Sequence, residues 1–246
     1  MKKIILILFL TIFSSSILNA NDSIDDFDAE FDNRTKEVFD PLSGYNRLVT
    51  TFNDKVFVNV LIPVADGYAY AIPQTVRTGI ENFFENIRFP IRFVNNLLQL
   101  KFENASEELG RFLINTLWGL GGFMDLATSE LNMKAHKEDF GQTLGFYGVG
   151  EGFHIVLPFF GPSNLRDTIG LTTDGIISPV NSVGHNVFNY KAPNTIIETA
   201  GIKTFDVVNY TSFNPHQYET IKKDALDLYP FLRDIYTQAR KKQIEE

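Results

Sequence analysis

Apolar residues recur at spacings of three and four along most of the chain, a pattern that predicts a mainly α-helical protein. One face of the first predicted helix carries Leu42, Tyr45, Leu48, Phe52, Val56 and Val60. Asp40 is the expected cap and Pro41 the expected first helical residue, because proline has no N–H to leave unbonded there. Pro63 is expected to end or kink this helix.

Residues 74–118 predict three helical segments, with Pro90 separating the first two and Lys101 the last two. Residues 74–87 share an apolar face. Residues 88–100 are apolar apart from one narrow stripe formed by Arg88, Arg92, Asn95 or Asn96, and Gln99. The helix over 103–118 is expected to turn four residues inward: Leu109, Phe112, Leu113 and Leu117. The segments flanking Lys101 are expected to form an antiparallel hairpin.

The second half of the chain predicts one extended segment and several helices. Residues 153–157 form a short strand or extended segment that Pro158 ends, and a helix follows over 164–177. Two more helices are expected, over 193–208 and 215–242, the latter kinked at Pro230. The fold class is therefore mainly α, with kinked amphipathic helices and little or no sheet.

Glycine is concentrated in the middle of the chain, where residues 110–175 hold twelve of the 17 glycines. They alternate with aromatic and aliphatic residues, as in 117–123 and 140–150. Because glycine permits positive φ and close backbone approach, this region predicts a backbone that bends repeatedly within apolar surroundings. It indicates a shaped apolar passage or a docking surface more than an active site.

The first 20 residues read as an export signal, with Lys2 and Lys3 before a short apolar run. That run is too short to cross a bilayer, and cleavage is expected between Ala20 and Asn21, with residues 14–16 as a weaker alternative. Residues 21–39 are rich in Asp and Glu and predict a flexible acidic arm. Residues 40–246 are expected to form one helical domain.

Charge and composition exclude several classes of function. The formal net charge is −8, and it becomes about −10 without the two signal lysines, so nucleic acid is not an expected partner. The chain contains no cysteine, which excludes disulfides, thiolate metal sites, a cysteine nucleophile and lipid attachment through cysteine.

No combination of residues indicates catalysis, so no catalytic site, metal or cofactor is expected. The four histidines are scattered without ligand spacing and are expected on the surface or in loops. No G-x-S-x-G motif is present, and the glycines at 119–122 follow a helix, unlike a phosphate-binding loop. Four aspartates are expected to act as helix caps or turn residues: Asp125, Asp139, Asp167 and Asp174.

The helix over 88–100 has a wide apolar face that suits the interfacial plane of a bilayer. An apolar face of this kind is also common in protein cores. Export, kinked amphipathic helices and a glycine-containing hairpin favour the membrane here. The residues expected to face it are Phe89, Ile91, Phe93, Val94, Leu97 and Leu98.

Several blocks of sequence resemble the MlaA (VacJ) family, in the family's order. They are Asp40–Arg47 followed by Phe52 and Asn53, Arg111–Thr116, Gly119–Asp125, Phe140–Gly150, Leu157–Gly161 and Leu165–Asp167. The resemblance covers residues 40–180, and more weakly Tyr229–Arg240. Several long blocks in register are more specific than any single short motif.

The resemblance implies a ring-like arrangement of helices around a central channel, in the inner leaflet of the outer membrane and associated with trimeric porins. Members of the family belong to an intermembrane phospholipid transport system that preserves outer-membrane lipid asymmetry. They hand phospholipid to a soluble periplasmic carrier without covalent chemistry.

By the same resemblance, Gly119, Gly121 and Gly122, with Phe123, form a flexible hinge loop between two channel-lining helices. Phe52 and Asn53 correspond to a channel-adjacent control segment. The sequence departs from typical members in lacking the lipidated cysteine, so attachment is expected through amphipathic helices and a porin or other outer-membrane partner.

Two other functions are compatible with the sequence. An envelope scaffold would bind an outer-membrane protein without passing lipid. A phospholipid hydrolase would need a nucleophile constellation, and none is recognisable.

Overall fold

The computed structural model describes residues 39–184, 190–223 and 225–246. The chain divides into two units, residues 1–40 and 41–246, and every element named below lies in the second. The expected signal segment with its cleavage site at Ala20 and Asn21, the acidic arm up to residue 38, and His185 lie outside the described residues.

The described residues form a mainly α-helical fold with one two-stranded antiparallel sheet. The helices are α1 Ser43–Val56, α2 Ile62–Ala71, α3 Gln74–Ile87, α4 Phe89–Leu98, α5 Phe102–Leu117, α6 Leu126–Ser129, α7 Phe140–Phe146, α8 Leu165–Ile177, α9 Ile196–Thr211, α10 Gln217–Lys223 and α11 Leu228–Glu245. The strands are β1 His154–Leu157 and β2 Gly161–Asn164, with His154 opposite Asn164 and Leu157 opposite Gly161.

The first helix differs from its prediction at both ends. It begins at Ser43 after a turn, with Leu42 at the cap position and no side-chain cap, so the expected cap at Asp40 is wrong. Pro63 does not end it, because a π turn over Phe57–Leu61 leads directly into α2 and Pro63 lies in the first turn of α2. A π turn is wider than an α turn and can adjoin a residue without an N–H.

Together α1, the π turn and α2 form 29 helical residues, Ser43–Ala71, that are long and apolar enough to cross a membrane by length and composition alone. Only 22% of the most apolar window of this helix is buried. Its apolar side chains are therefore not accounted for by a protein core.

The predictions for α3 and for the restart at Pro90 are confirmed. The α3 helix ends at Ile87, α4 begins at Phe89, and Pro90 lies in the first turn of α4. The predicted hairpin is also present: Phe89 stacks on Phe112 with ring centroids 4.4 Å apart, while Arg92 meets Glu108. Later residues of α4 contact earlier residues of α5, so the two helices are antiparallel.

In the second half of the chain, the predicted start of α8 is confirmed, and the single helix predicted near the C-terminus is not. The helix after β2 begins as expected, because the Asn164 side chain accepts a 2.7 Å hydrogen bond from the Asp167 N–H. The single helix over 215–242 is wrong, since residues 225–227 are not helical and separate α10 from α11. Pro230 lies in the first turn of α11, where proline does not kink a helix.

The packing of α5 is the reverse of the prediction. Leu109, Leu113 and Leu117 are exposed, and Phe112 is partly exposed. The buried residues of this helix are Ala105, Glu108, Arg111 and Asn115. The polar face of α5 turns inward because its side chains find partners on α4 and on residues 125–136.

Polar burial extends over the whole described domain. Buried polar and charged side chains outnumber buried apolar ones, and the apolar cluster formed by fully buried residues is small: Val49, Val156 and Tyr229. The surroundings of the glycine-rich region are mixed, because Gly145 and Gly152 lie against Ile244 and Leu165 whereas Gly122 lies against Asn86. The interior of the described domain is largely polar and hydrogen-bonded, and much of its apolar surface faces outward.

Candidate functional site

A polar cavity of about 540 Å³ lies between α3, α4, α5 and the segment 125–137. Its walls include Asn82, Glu85, Asn86, Arg92, Arg111 and Asn115. Ten of the 13 lining residues carry amide or charged side chains, which can bind a polar or charged ligand.

One wall is fixed by a buried ion pair that joins α4 to α5. Arg92 Nε donates a 2.7 Å hydrogen bond to the carboxylate of Glu108, whose side chain is fully buried. Glu108 also accepts a 2.6 Å bond from the His136 N–H. Arg92 further donates from Nη1 to the Glu85 carbonyl oxygen at 2.8 Å. These bonds hold two helices and the 125–137 segment together.

Glu85 on α3 completes this wall. Burial alone would raise its pKa, but the neighbouring charges of Arg88, Lys137 and Arg92 outweigh that effect and hold the pKa below its usual range. Glu85 therefore remains an anion that balances part of the local positive charge.

A second set of bonds fixes the wall of the cavity around Asp125. Arg111 Nη2 donates to Asp125 at 3.0 Å, and Asn115 Nδ2 donates to the same carboxylate at 2.8 Å. Asp125 also caps α6 by accepting from the Thr128 N–H, so the predicted capping role is confirmed. Burial would raise the pKa of Asp125, but the bonds from Thr128 and Asn115 and the charge of Arg111 lower it.

The glycine turn joins α5 to this wall. Leu120, Gly121 and Gly122 have φ of 55°, 74° and 101°, three successive left-handed residues. A Cβ on Gly122 would lie 2.6 Å from Asn86 Nδ2, whereas a Cβ on Gly121 would meet nothing within 4 Å. Gly122 therefore permits close packing against the cavity wall, and Gly121 serves only the backbone conformation.

Phe123 attaches the turn to α3. Its ring stacks on Phe83 with centroids 4.9 Å apart, and its carbonyl oxygen accepts a 3.2 Å bond from Asn82 Nδ2. The structure thus brings the predicted hinge residues into contact with two residues of the cavity lining, Asn82 and Asn86. The hinge role itself stays a prediction.

Phe52 and Asn53, the predicted control segment, lie at a different place. Asn53 Nδ2 donates to the Leu157 carbonyl oxygen at 3.0 Å, and Asn53 Oδ1 accepts from the Phe159 N–H at 2.8 Å. The Phe52 ring packs edge-on against Phe159 at 5.2 Å. The pair therefore secures the β1–β2 turn, and within the described part of the chain neither residue lines the cavity.

The six residues predicted to face a membrane are all at least partly exposed: Phe89, Ile91, Phe93, Val94, Leu97 and Leu98. The polar stripe of the same helix is buried, with Arg92, Asn95, Asn96 and Gln99 all below a tenth exposed. The apolar face of α4 thus points away from the protein interior. Contact with lipid stays a prediction.

Sequence reasoning missed the buried polar residues of α5, two of which line the cavity, although their spacing was visible. Glu108, Arg111 and Asn115 follow one another by three and four positions, the same period that the apolar residues show. A polar stripe of this kind marks one helical face as clearly as an apolar stripe does.

A second polar cluster lies where α11 meets α7 and α8. The Arg240 guanidinium donates two 2.8 Å bonds to Asp139 and bonds of 2.9 and 3.0 Å to Asp167. Asp139 caps α7 as predicted, accepting from the Gln142 N–H. Asp167 lies in the first turn of α8.

The predicted cap or turn role is wrong for Asp174, and the surface position is wrong for His154. Asp174 lies within α8, where it accepts 3.0 Å bonds from the Phe140 N–H and from Asn95 Nδ2. His154 is buried in β1, beside the rings of Tyr229 and Tyr236. Both residues acquire their partners only through tertiary packing.

In residues 39–184, 190–223 and 225–246, no group of three or more His, Asp or Glu side chains is arranged to hold a metal ion.

The family model of the MlaA lipoprotein matches residues 38–243. An uncharacterized protein of Rickettsia bellii is 32% identical over 87% of this chain and 80% of its own length. The "Intermembrane phospholipid transport system lipoprotein MlaA" of Escherichia coli is 40% identical over 55% of each chain, and that of Haemophilus influenzae is 35% identical over 58% of this chain and 59% of its own. The aligned part thus covers little more than half the length of each of these named lipoproteins.

A solved structure described as "Structural basis for maintenance of bacterial outer membrane lipid asymmetry" superposes with a TM-score of 0.69 and 29% sequence identity. The match covers 83% of this chain and 98% of the solved one. It confirms the predicted mainly α-helical fold class.

Proposed function

The chain belongs to the MlaA lipoprotein family, and from this premise we propose that it is an outer-membrane-associated component of a phospholipid transport pathway that maintains outer-membrane lipid asymmetry. Phospholipid passes through an amphipathic channel within a ring-like arrangement of helices and reaches a periplasmic carrier. No covalent bond of the lipid is made or broken. The observation that carries the proposal is the inverted polarity of the domain, with a polar cavity inside and apolar helix faces outside.

This distribution of polarity suits a lipid, whose two ends need opposite surroundings. Moving a charged headgroup through hydrocarbon without partners costs several kcal/mol or more, on the order of the whole stability of a domain. The cavity offers amide and charged side chains in place of water. The exposed leucines of α4 and α5 offer an apolar surface along which acyl chains remain in contact with bilayer.

The location follows from the same surfaces. The apolar faces of α4, α5 and the Ser43–Ala71 helix suit the inner leaflet of the outer membrane, with the helices lying in or against it. A trimeric porin and a soluble periplasmic lipid carrier are the proposed protein partners. The carrier is consistent with the names of the relatives, which place those proteins in an intermembrane phospholipid transport system, and the porin rests on the family resemblance alone.

The glycine turn is the proposed gate. Gly122 and Phe123 contact Asn86 and Asn82 of the cavity wall, so a shift of the turn changes the shape of the cavity. Gly121 has no neighbour within 4 Å of a built Cβ, and this open space leaves the turn free to change its φ and ψ. Phe52 and Asn53 form the second proposed control point, acting through the β1–β2 turn.

The test of the gate is Gly121→Ala, which adds a methyl group in open space at a φ of 74°. Slower lipid passage should raise the phospholipid content of the outer leaflet while protein level and localisation stay unchanged. Gly148→Ala is the matched control, because Gly148 has a φ of 82° and equally open surroundings.

Three outcomes separate the possibilities. If Gly121→Ala behaves like Gly148→Ala, the turn is not the gate. If deletion of the whole protein leaves outer-leaflet phospholipid unchanged, the transport function is wrong and an envelope scaffold accounts for the fold. Release of fatty acid by the purified protein would instead indicate a hydrolase.

A further inference from the structure

The polar cavity carries more positive than negative charge. Four basic residues line it, Arg92, Arg111, Lys134 and Lys137, against two acidic ones, Glu85 and Asp125. A lining of this composition favours an anion, provided that the positive charges are not all neutralised by neighbours.

The two arginines are neutralised within the walls. Arg92 bonds to the buried carboxylate of Glu108, and Arg111 bonds to Asp125. Both side chains are less than a tenth exposed, so these pairs are part of the framework. The arginines therefore add polarity to the cavity but little net charge.

The two lysines are different. Lys137 lies 3.4 Å from Glu85, a carboxylate that also pairs with Arg88 at 2.7 Å. In the described part of the chain, the Lys134 ammonium makes no hydrogen bond or ion pair, and only the backbone N–H of this residue is bonded, to Glu107. Both lysines are exposed at the edge of the cavity. After these pairings, Lys134 and Lys137 face one lining carboxylate, Glu85, so the surplus positive charge lies at this pair of lysines.

We propose that Lys134 and Lys137 bind the phosphodiester anion of a phospholipid headgroup at the cavity, and that headgroups with a net negative charge bind more tightly than zwitterionic ones. The inference rests on the proposed lipid transport. A lysine ammonium is a compact charge with three donors, which suits phosphate oxygens. A zwitterionic headgroup brings its own ammonium into the same positive surroundings and loses part of that attraction.

Asn132, beside the lysines, supports a polar headgroup. It lines the cavity in a left-handed conformation with a φ of 54°, which turns this part of the chain along the cavity edge. An amide there can donate to, or accept from, the hydroxyl groups of a glycerol headgroup.

The experiment uses the full chain purified in a neutral detergent. The probes are dihexanoyl phosphatidylglycerol, dihexanoyl phosphatidylethanolamine and inorganic phosphate, titrated at low and high salt. The double variant Lys134→Gln/Lys137→Gln should bind the phosphatidylglycerol about tenfold more weakly, since it loses two charge-assisted contacts. High salt should weaken wild-type binding, because both ammonium groups are exposed to solvent.

The matched control is Lys241→Gln/Lys242→Gln, which removes the same charge from two exposed lysines of α11. It should leave the affinity unchanged. Equal affinities of wild type and the Lys134→Gln/Lys137→Gln variant would overturn the proposal. Tighter binding of inorganic phosphate than of either lipid would also overturn it, because the site would then serve free phosphate.

Failure of this inference and failure of the transport function are distinguishable. If deletion of the protein raises outer-leaflet phospholipid while the Lys134→Gln/Lys137→Gln variant binds lipid like wild type, only the phosphate site is wrong. If deletion has no such effect, the transport function itself is wrong.

Discussion

Asp167 and Asp174 are both buried, yet their pKa values are shifted in opposite directions. Burial would raise the pKa of Asp167, but bonds from Arg240, Arg166 and Tyr236 lower it to about 2. Asp174 is equally buried but receives neutral donors, the Phe140 N–H and Asn95, and burial raises its pKa to about 6. The chemistry of each carboxylate follows from the charge of its donors.

The opposite shifts act in separate pH ranges. The lowered pKa of Asp167 stabilises the fold above pH 3.8, and this contribution is lost as the pH falls towards 2. The raised pKa of Asp174 acts in the other direction: the fold is favoured below pH 3.8, and this advantage is lost as the pH rises through about 6.

The change Asp174→Asn should remove the pH dependence of stability that the raised pKa of Asp174 causes. In the wild type, the Asp174 carboxyl should lower the free energy of unfolding by about 3 kcal/mol between pH 4 and 6, because ionisation is costlier in the folded state. In the variant, the free energy of unfolding measured by denaturant titration should no longer fall between pH 4 and 6. Asp66→Asn, a change at a half-exposed carboxylate, is the control and should keep the wild-type pH dependence.

For single residues, the roles that depend on near neighbours in the sequence were predictable, and the roles that depend on tertiary contacts were not. Asp125 and Asp139 were predicted as caps, because the capping partner of each lies three residues away. The bonds of Asp174 to Phe140 and Asn95 join residues 34 and 79 positions away. No short-range pattern encodes partners at such distances.

The α4–α5 hairpin is the element that defines the cavity, and its buried pair is Arg92 with Glu108. Replacement of Glu108 by Gln removes one charge from a fully buried site and leaves the Arg92 guanidinium with only part of its compensation. The expected loss is about 3 kcal/mol of folding free energy, at the low end for a buried pair because Glu85 remains nearby. Thermal or denaturant unfolding in detergent measures it.

Glu103→Gln provides the comparison, since Glu103 is exposed in the first turn of the same helix. It should change stability by less than about 0.5 kcal/mol. An equally small effect of Glu108→Gln would mean that the pair does not hold the hairpin together.

The positions of the elements were largely predictable, but the direction that they face was not. Pro90 and the apolar period located α3 and α4 to within one or two residues. The same period in α5 located the helix yet gave the wrong inward face, because Glu108, Arg111 and Asn115 repeat at equal spacing. Periodicity alone identifies two opposite faces, and only the packing decides which one is buried.

At the scale of the described domain, apolar surface lies where a water-soluble protein would carry polar groups. Leu97 and Leu98 of α4 are 36% and 42% exposed, and Leu113 and Leu117 of α5 are 45% and 66% exposed. Exposed apolar side chains on two helices that pack together indicate an interaction with lipid or protein. The cavity behind these helices was not predictable from sequence, because three helices and a loop create it together.

The double change Leu97→Gln/Leu98→Gln tests the membrane-facing assignment. It should reduce cofloatation of the protein with outer-membrane vesicles, because two exposed apolar groups leave the lipid contact. Stability in detergent should stay within about 1 kcal/mol, since neither side chain is buried.

Ile196→Gln/Ile197→Gln on α9 is the matched pair for that experiment, with exposures of 79% and 84%. If this pair reduces cofloatation as much as the α4 pair, membrane contact is not particular to α4. If neither pair has an effect, α4 does not hold the protein at the membrane.

The position of Arg240 has a consequence for biosynthesis. This guanidinium serves Asp139 and Asp167, residues that a ribosome adds 101 and 73 codons earlier. Until residue 240 has been translated, both carboxylates must stay hydrated, and α7 and α8 lack the cation that joins them. The four bonds that tie α11 to α7 and α8 can therefore form only after residue 240 has been added.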